Sequence, residues 1–271
     1  MAEMIGTHVA GGIGVITLDR PEVLNAINRQ VKREISEIIS AWANDADVKA
    51  IVLHGQGRAF SAGFDMKESA TRSLTTVTDW SNALRESFDF IIQFWDCPKP
   101  TIAAVHGYCL GGAFELVMAC DIAVAAAGTK FGEPEPRFGS GIICMLLPWI
   151  TSPKFAKELL LTGRDNIDAD RAMAMGLVNL VVAEGRELDE AMSIAREIAA
   201  ASPQAVQLIK RAINRSYDIG GMRQALLAAL DVDVMLEAAS GPERIEFNRI
   251  RKDQGLKAAI AWRDARFAKS Q

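Results

Sequence analysis

An alternation of short apolar runs with amphipathic stretches fills the first 125 residues, and few folds accommodate it. Residues 13–18, 50–53, 101–105 and 122–125 are short runs dominated by Ile, Val, Leu and Ala, and they read as strands. Between them Val31, Ile35, Ile38 and Trp42 recur at helical spacing. Leu84, Phe88, Ile91 and Trp95 do the same, until Pro98 and Pro100 stop them. Residues 116–120 continue a short buried helix. Strand and helix taking turns in this way predict an α/β domain.

Past Pro148 the pattern turns mostly helical. Residues 155–161 and 168–175 read as helices and 178–182 as a last strand. From Leu188 onward every segment is helical, with the series Leu188/Met192/Ala195/Ile198, Val206/Ile209/Ile213 and Met222/Leu226/Leu230. The change predicts two parts: a core over residues 1–200 and a helical C-terminal subdomain over 201–271. Residues 69–79, rich in Ser and Thr and without periodicity, are expected to form a mobile loop.

Several function classes drop out. The net charge is −4 and no Lys/Arg run resembles a nucleic-acid stripe. No apolar stretch reaches the roughly 18 residues of a membrane span, and residues 1–9 are too polar and short for a secretion signal. Cys97, Cys109, Cys120 and Cys144 form no CxxC pair and read as reduced core cysteines of a cytoplasmic protein. His8, His54 and His106 lack metal-ligand spacing, so no metal is expected.

Chemistry concentrates in two glycine-bearing loops. Ala59-Phe60-Ser61-Ala62-Gly63-Phe64-Asp65 and Gly107-Tyr108-Cys109-Leu110-Gly111-Gly112-Ala113-Phe114-Glu115 both place glycine where backbone N–H groups can turn outward. Two such groups aimed at one point make an oxyanion hole, and the second loop adds the positive end of a helix dipole. Glu115 follows Gly112 by three residues, and Glu135 lies 20 residues further on, in Phe131-Gly132-Glu133-Pro134-Glu135. Two carboxylates beside an oxyanion hole suit proton transfer next to a carbonyl. The second loop does not match the full GxGxxG fingerprint, and Ser61 lacks the GxSxG frame.

With these loops in place, the chain resembles the enoyl-CoA hydratase/isomerase family of the crotonase superfamily. The resemblance also rests on Arg20-Pro21-Glu22-Val23-Leu24-Asn25-Ala26, Glu115-Leu116-Val117-Met118-Ala119-Cys120-Asp121, Leu160-Leu161-Thr162-Gly163, Gly176-Leu177-Val178 and Ser202-Pro203. It implies a spiral of ββα turns and a helical trimerisation region, in a homotrimer or homohexamer. It implies an acyl-CoA thioester as substrate, with coenzyme A part of that substrate and no separate cofactor. The family's oxyanion-hole N–H groups match Phe64 and Gly112, and its two catalytic glutamates match Glu115 and Glu135. Its CoA contacts match the segments holding Arg20, Ala26, Ala62, Gly63, Asp65, Lys67 and Gly111. The implied reaction is hydration of a 2-enoyl thioester, with Glu115 activating water and Glu135 delivering a proton. Isomerisation, another lyase or hydrolase outcome, or a silent acyl-CoA-binding scaffold stand as alternatives.

Other residues carry plainer expectations. Glu133 reads as solvated, with the alternative that it raises the pKa of its neighbour by repulsion. Asp121, Asp65 and His106 read as structural. After Glu135 the chain departs from the usual hydratase pattern: Ile143 stands where a glycine would help hold the water, and residues 136–149 are expected to line the acyl pocket.

Overall fold

The computed structural model describes residues 4–72 and 74–268. The chain enters as a hairpin of β1 (Ile5–Ala10) and β2 (Ile13–Leu18), then runs through α1 (Arg29–Asn44), β3 (Ala50–Gly55), α2 (Met66–Ser69) and α3 (Val77–Asp96). Next come β4 (Thr101–Val105), β5 (Tyr108–Leu110), α4 (Gly112–Ala119), β6 (Ile122–Ala126) and β7 (Lys130–Gly132). The third stretch is α5 (Leu147–Ile150), α6 (Pro153–Thr162), β8 (Ile167–Asp168), α7 (Ala169–Ala174), β9 (Leu180–Val182) and α8 (Glu187–Ala200). Four helices end the chain: α9 (Pro203–Ile219), α10 (Met222–Ala239), α11 (Pro242–Gln254) and α12 (Leu256–Phe267).

Two sheets share these strands. The larger has the order β1-β2-β3-β4-β6-β9 and the smaller β5-β7-β8. All neighbours in the large sheet from β2 onward are parallel. Each pass of the chain leaves one strand in the large sheet and one in the small: β4 then β5, and β6 then β7. The result is a superhelix of ββα turns. Isolated parallel bridges, Ile27 with Phe64 and Ser61 with Cys109, continue the small layer backward through the earlier turns.

The strands are apolar because both faces of the large sheet are covered. Ile13, Ala50, Val52, Ile102, Ala104 and Val124 meet Ala191, Ala195 and Ala199 of α8, whose small side chains let the helix lie close. The other face joins the main core, with Ile16, Leu18, Ile51, Leu53, Ala103 and Val105 against Ile35, Phe88, Ile91 and Leu116. Gly14 marks a close approach: a β-carbon there would stand 2.6 Å from the Trp42 ring of α1.

The expected strands and helices are present, and the small-sheet strands β5, β7 and β8 are additional to them. Residues 5–10 form β1, which sequence reading left unassigned. The expected loop at 69–79 is shorter, because α3 starts at Val77: Thr76 accepts from the Asp79 N–H and Asp79 accepts from the Thr76 N–H, a capping box. The last strand covers only residues 180–182.

Lys210 ties α9 to the core. Its buried Nζ donates to Asp121 Oδ2 at 2.6 Å, Lys99 O at 3.1 Å and Phe94 O at 3.3 Å. Asp121 also accepts from the N–H and hydroxyl of Thr101, as a structural acid should. Lys210→Met should therefore destabilise the protein by about 2–3 kcal/mol, since a half-buried carboxylate loses its cation and two carbonyls lose a donor. Urea unfolding should report this as a lower midpoint with an unchanged slope.

Candidate active site

The second glycine loop opens α4 in a conformation reserved for glycine. Gly111 has φ 54° and ψ −133°. Its N–H donates to Gly132 O at 2.9 Å, which anchors it to β7, and its carbonyl accepts from Phe114 and Glu115 N–H at 2.7 and 3.0 Å. A β-carbon on Gly111 would stand 2.2 Å from Glu135 Oε1, so that carboxyl rests directly on the glycine.

The first loop is pinned from both sides. Across the Ile27–Phe64 bridge, Ile27 N–H donates to Gly63 O and Asp65 N–H to Ile27 O, both at 2.9 Å. Parallel pairing uses the Gly63 carbonyl and the Asp65 N–H, which flank Phe64, and turns the Phe64 N–H the opposite way. Gly63, at φ 89°, packs on the other loop: a β-carbon there would stand 2.6 Å from Leu110 O and 3.4 Å from Gly112 N. Among the described residues neither Phe64 N–H nor Gly112 N–H donates a hydrogen bond. Gly112 N–H is one of the first-turn donors that a helix cannot satisfy itself.

Glu115 is buried on α4. Ile143 N–H donates to its Oε1 at 3.2 Å and Cys144 N–H to its Oε2 at 2.9 Å. Ile143 thus supplies a backbone donor to the site despite its bulk. Burial pushes the Glu115 carboxyl well above the usual range and the nearby Glu135 pushes it further, while the two N–H donors oppose both. Glu135 opens a short 3-10 turn after Pro134; the residue is partly exposed but its Oε2 is enclosed. Burial raises its pKa to about 7.

Glu133 corrects the sequence expectation of a solvated side chain. It is fully buried, and among the described residues neither carboxyl oxygen meets an N–H or O–H donor. Burial first, then Glu135 and Glu115, push its pKa well above the usual range. Two further acids were missed by sequence reading, Asp233 and Glu237 on α10. Asp233 Oδ1 would lie 2.0 Å from a β-carbon on Gly141, and burial followed by Glu237 raises its pKa to about 7. Glu237 accepts from the Ser140 hydroxyl and pairs with Arg244 at 2.9 Å. Together they grip the segment that leads to the Ile143 and Cys144 donors. Their spacing was a usable signal: both fall on the Met222/Leu226/Leu230 stripe that α10 buries. Around that segment Phe138, Ile142, Cys144, Leu146 and Leu147 are buried, and Ile143 and Met145 partly so.

The remaining expected site residues form a second group. Arg20 Nη1 donates to Ala26 O and pairs with Asp65 Oδ2 at 3.2 Å. Asp65 also caps α2, accepting from Lys67 and Glu68 N–H, so it holds the loop as expected. Ala62 N–H donates to Leu24 O at 2.9 Å, and the Lys67 side chain is exposed. Asn25 was missed: buried at φ 52°, it donates to Gln56 O and Ala59 O and accepts from Arg20 N–H, which locks this loop to the first glycine loop. His106 is structural, bonded through Nε2 to Gly57 O at 3.0 Å.

Known proteins share this arrangement of chain. The family model described as enoyl-CoA hydratase/isomerase matches residues 8–241. A probable enoyl-CoA hydratase of Rhizobium meliloti is 36% identical over 258 residues, covering 90% of this chain and 98% of that protein. A short-chain-enoyl-CoA hydratase of Clostridium acetobutylicum is 37% identical, covering 76% of this chain and 78% of that protein. The crystal structure of an enoyl-CoA hydratase/isomerase from Xanthobacter autotrophicus Py2 superposes with a TM-score of 0.96 at 47% identity, over 98% of this chain and 99% of that one. With its superhelix of ββα turns and its paired glycine loops, the chain belongs to the enoyl-CoA hydratase/isomerase family of crotonase-fold enzymes.

Proposed function

We propose that this protein is an enoyl-CoA hydratase that adds water across the 2,3 double bond of an acyl-CoA thioester. The observation that carries the reading is the meeting of two shielded carboxyls, Glu115 and Glu135, at the start of α4, where Gly112 N–H is unspent. In the proposed chemistry the thioester oxygen accepts from Phe64 and Gly112 N–H, which takes up the charge that develops when the β-carbon is attacked. Glu115, whose two oxygens each accept a backbone N–H, is the carboxyl suited to carry negative charge, and each oxygen keeps a lone pair for water. It removes a proton from water as the oxygen bonds to the β-carbon. Glu135 gives a proton to the α-carbon, and the product is the 3-hydroxyacyl thioester.

For the CoA part we propose the loop surface bearing Arg20, Ala26, Ala62, Gly63, Asp65, Lys67 and Gly111. Arg20 and Asp65 neutralise each other, so they act through the loop they hold, and Lys67 is the exposed cation of the group. No cofactor beyond the CoA of the substrate enters the proposed chemistry. We further propose a homotrimer or homohexamer assembled through the helical region from residue 201. The apolar side chains of Leu208, Ile209 and Ile213 on α9 and Val232 and Met235 on α10 are exposed in the single chain and support that reading. Among the described residues no helix is long and apolar enough to cross a membrane. The four buried, unpaired cysteines support a reducing compartment such as the cytoplasm.

Mass spectrometry of products from a panel of 2-enoyl- and 3-enoyl-CoA thioesters tests the reaction. A 2-enoyl substrate should gain one water. Unchanged mass with a moved double bond would replace the reading by isomerisation, and free CoA by hydrolysis. Binding without any conversion would point to a silent scaffold.

A further inference from the structure

Resting on the hydratase reading, we propose that Glu133 is a positioning residue: a neutral carboxylic acid that hydrogen-bonds Glu135 and thereby fixes both the placement and the ionisation of the proton donor. The two residues flank Pro134, and each carboxyl is the other's side-chain hydrogen-bonding neighbour. Glu133 is fully buried, and among the described residues no N–H or O–H donor reaches either of its oxygens. A carboxylate so placed would be an unpaired buried charge, so the group keeps its proton. A protonated carboxyl has one O–H to donate, and the hydrogen-bonding neighbour in reach is Glu135.

The titratable and charged groups around the pair are few. Glu115 and Asp233 act on it as like charges, Arg244 and Arg263 act on Glu135 from the helical end, and Cys109 and Cys144 are near enough to feel the charge of Glu133. Both arginines are committed elsewhere, Arg244 to Glu237 and Arg263 to Asp165. The O–H of Glu133 is thus the close, uncharged donor that stabilises Glu135 after it has given up its proton. The proton on Glu133 is not transferred. It steadies one end of Glu135 while Oε1 stays over Gly111.

The sign of the effect follows. A donor to the anionic form lowers the pKa of Glu135, and burial raises it. Glu135 must be protonated to act, so the alkaline limb of kcat/KM follows its pKa in the free protein, raised to about 7. Glu133→Leu removes the donor and keeps the site dry. It should lower kcat about 10-fold through lost placement and move the alkaline limb upward by about one pH unit. Glu133→Gln keeps an uncharged N–H donor. It should restore the limb to its original position and kcat to within about threefold of the original enzyme.

The pH profiles of kcat/KM for the three proteins decide the matter. An unshifted limb in Glu133→Leu overturns the proposal, as does Glu133→Gln behaving like Glu133→Leu. A second readout does not need turnover. Infrared titration of the carboxyl stretch, with Glu135→Gln as the reference that identifies the Glu135 band, should show the same upward shift in Glu133→Leu only. If the intact protein hydrates no enoyl thioester, the hydratase reading fails while the infrared titration still tests the carboxyl pair; an unshifted band would overturn the pair itself.

Discussion

Glu115→Gln is expected to lower kcat for hydration by about 1,000-fold, the middle of the range for losing a general base, with KM within a few-fold of its original value. The Gln side chain fills the same volume but cannot take a proton from water. It also carries one oxygen where the site offers two donors, Ile143 N–H and Cys144 N–H. One of those N–H groups would then face an amide N–H, an unsatisfied pair costing about 1–3 kcal/mol. Relief of the burial cost that raises the Glu115 pKa offsets part of this. The melting temperature should therefore change little while turnover collapses. Steady-state kinetics beside a thermal melt check both halves. A variant with near-normal kcat would remove Glu115 from the chemistry.

Gly111→Ala should cost about 100- to 1,000-fold in kcat, the scale for an oxyanion-hole donor, while leaving a folded protein. At φ 54° and ψ −133° an L-residue is strained, and the added methyl would stand 2.2 Å from Glu135 Oε1. Two consequences follow from one atom. Glu135 must swing off the glycine, and any twist at 111 passes into α4 because the Gly111 carbonyl receives the N–H of both Phe114 and Glu115. Gly176→Ala is the control for backbone strain alone: φ is 76° and nothing lies within 4 Å of the added methyl. That variant should lose about 1 kcal/mol of stability and keep its kcat. Equal kinetic losses in the two variants would mean that strain, and not the contact with Glu135, damages the site.

The periods that sequence carries well are those of long elements. Val31/Ile35/Ile38/Trp42 and Leu84/Phe88/Ile91/Trp95 lie on helices of 16 and 20 residues, and β2, β3, β4 and β6 were readable because both faces of their sheet are buried. The small sheet was not readable. Its strands have three, three and two residues, too short for any alternation to register. The motifs around Glu115 and Glu135 marked both as candidates, and the structure brings the two carboxyls near each other. Glu133 was not legible, since a carboxylate between Gly132 and Pro134 has no periodic neighbours to betray burial. Asp233 and Glu237 reach the loop at Ser140 and Gly141 from about a hundred residues away, and only tertiary packing brings them there. Asn25 was missed for a local reason. It sits in the left-handed region, where Asn is tolerated, and three backbone partners fix it there.

The parallel bridge at Phe64 has a consequence for how such a protein can diverge. The N–H at that position is aimed by hydrogen bonds between Gly63, Ile27 and Asp65, all of them backbone to backbone. The Phe64 side chain takes no part in them. It packs instead toward Gly112 and the Phe90 ring, 6.5 Å between centroids. Mutation can therefore reshape what the ring touches without disarming the amide beside it. In the proposed chemistry, the electrophile-activating half of the site is inherited with the main chain, and the lining around it is free to drift toward new acyl groups.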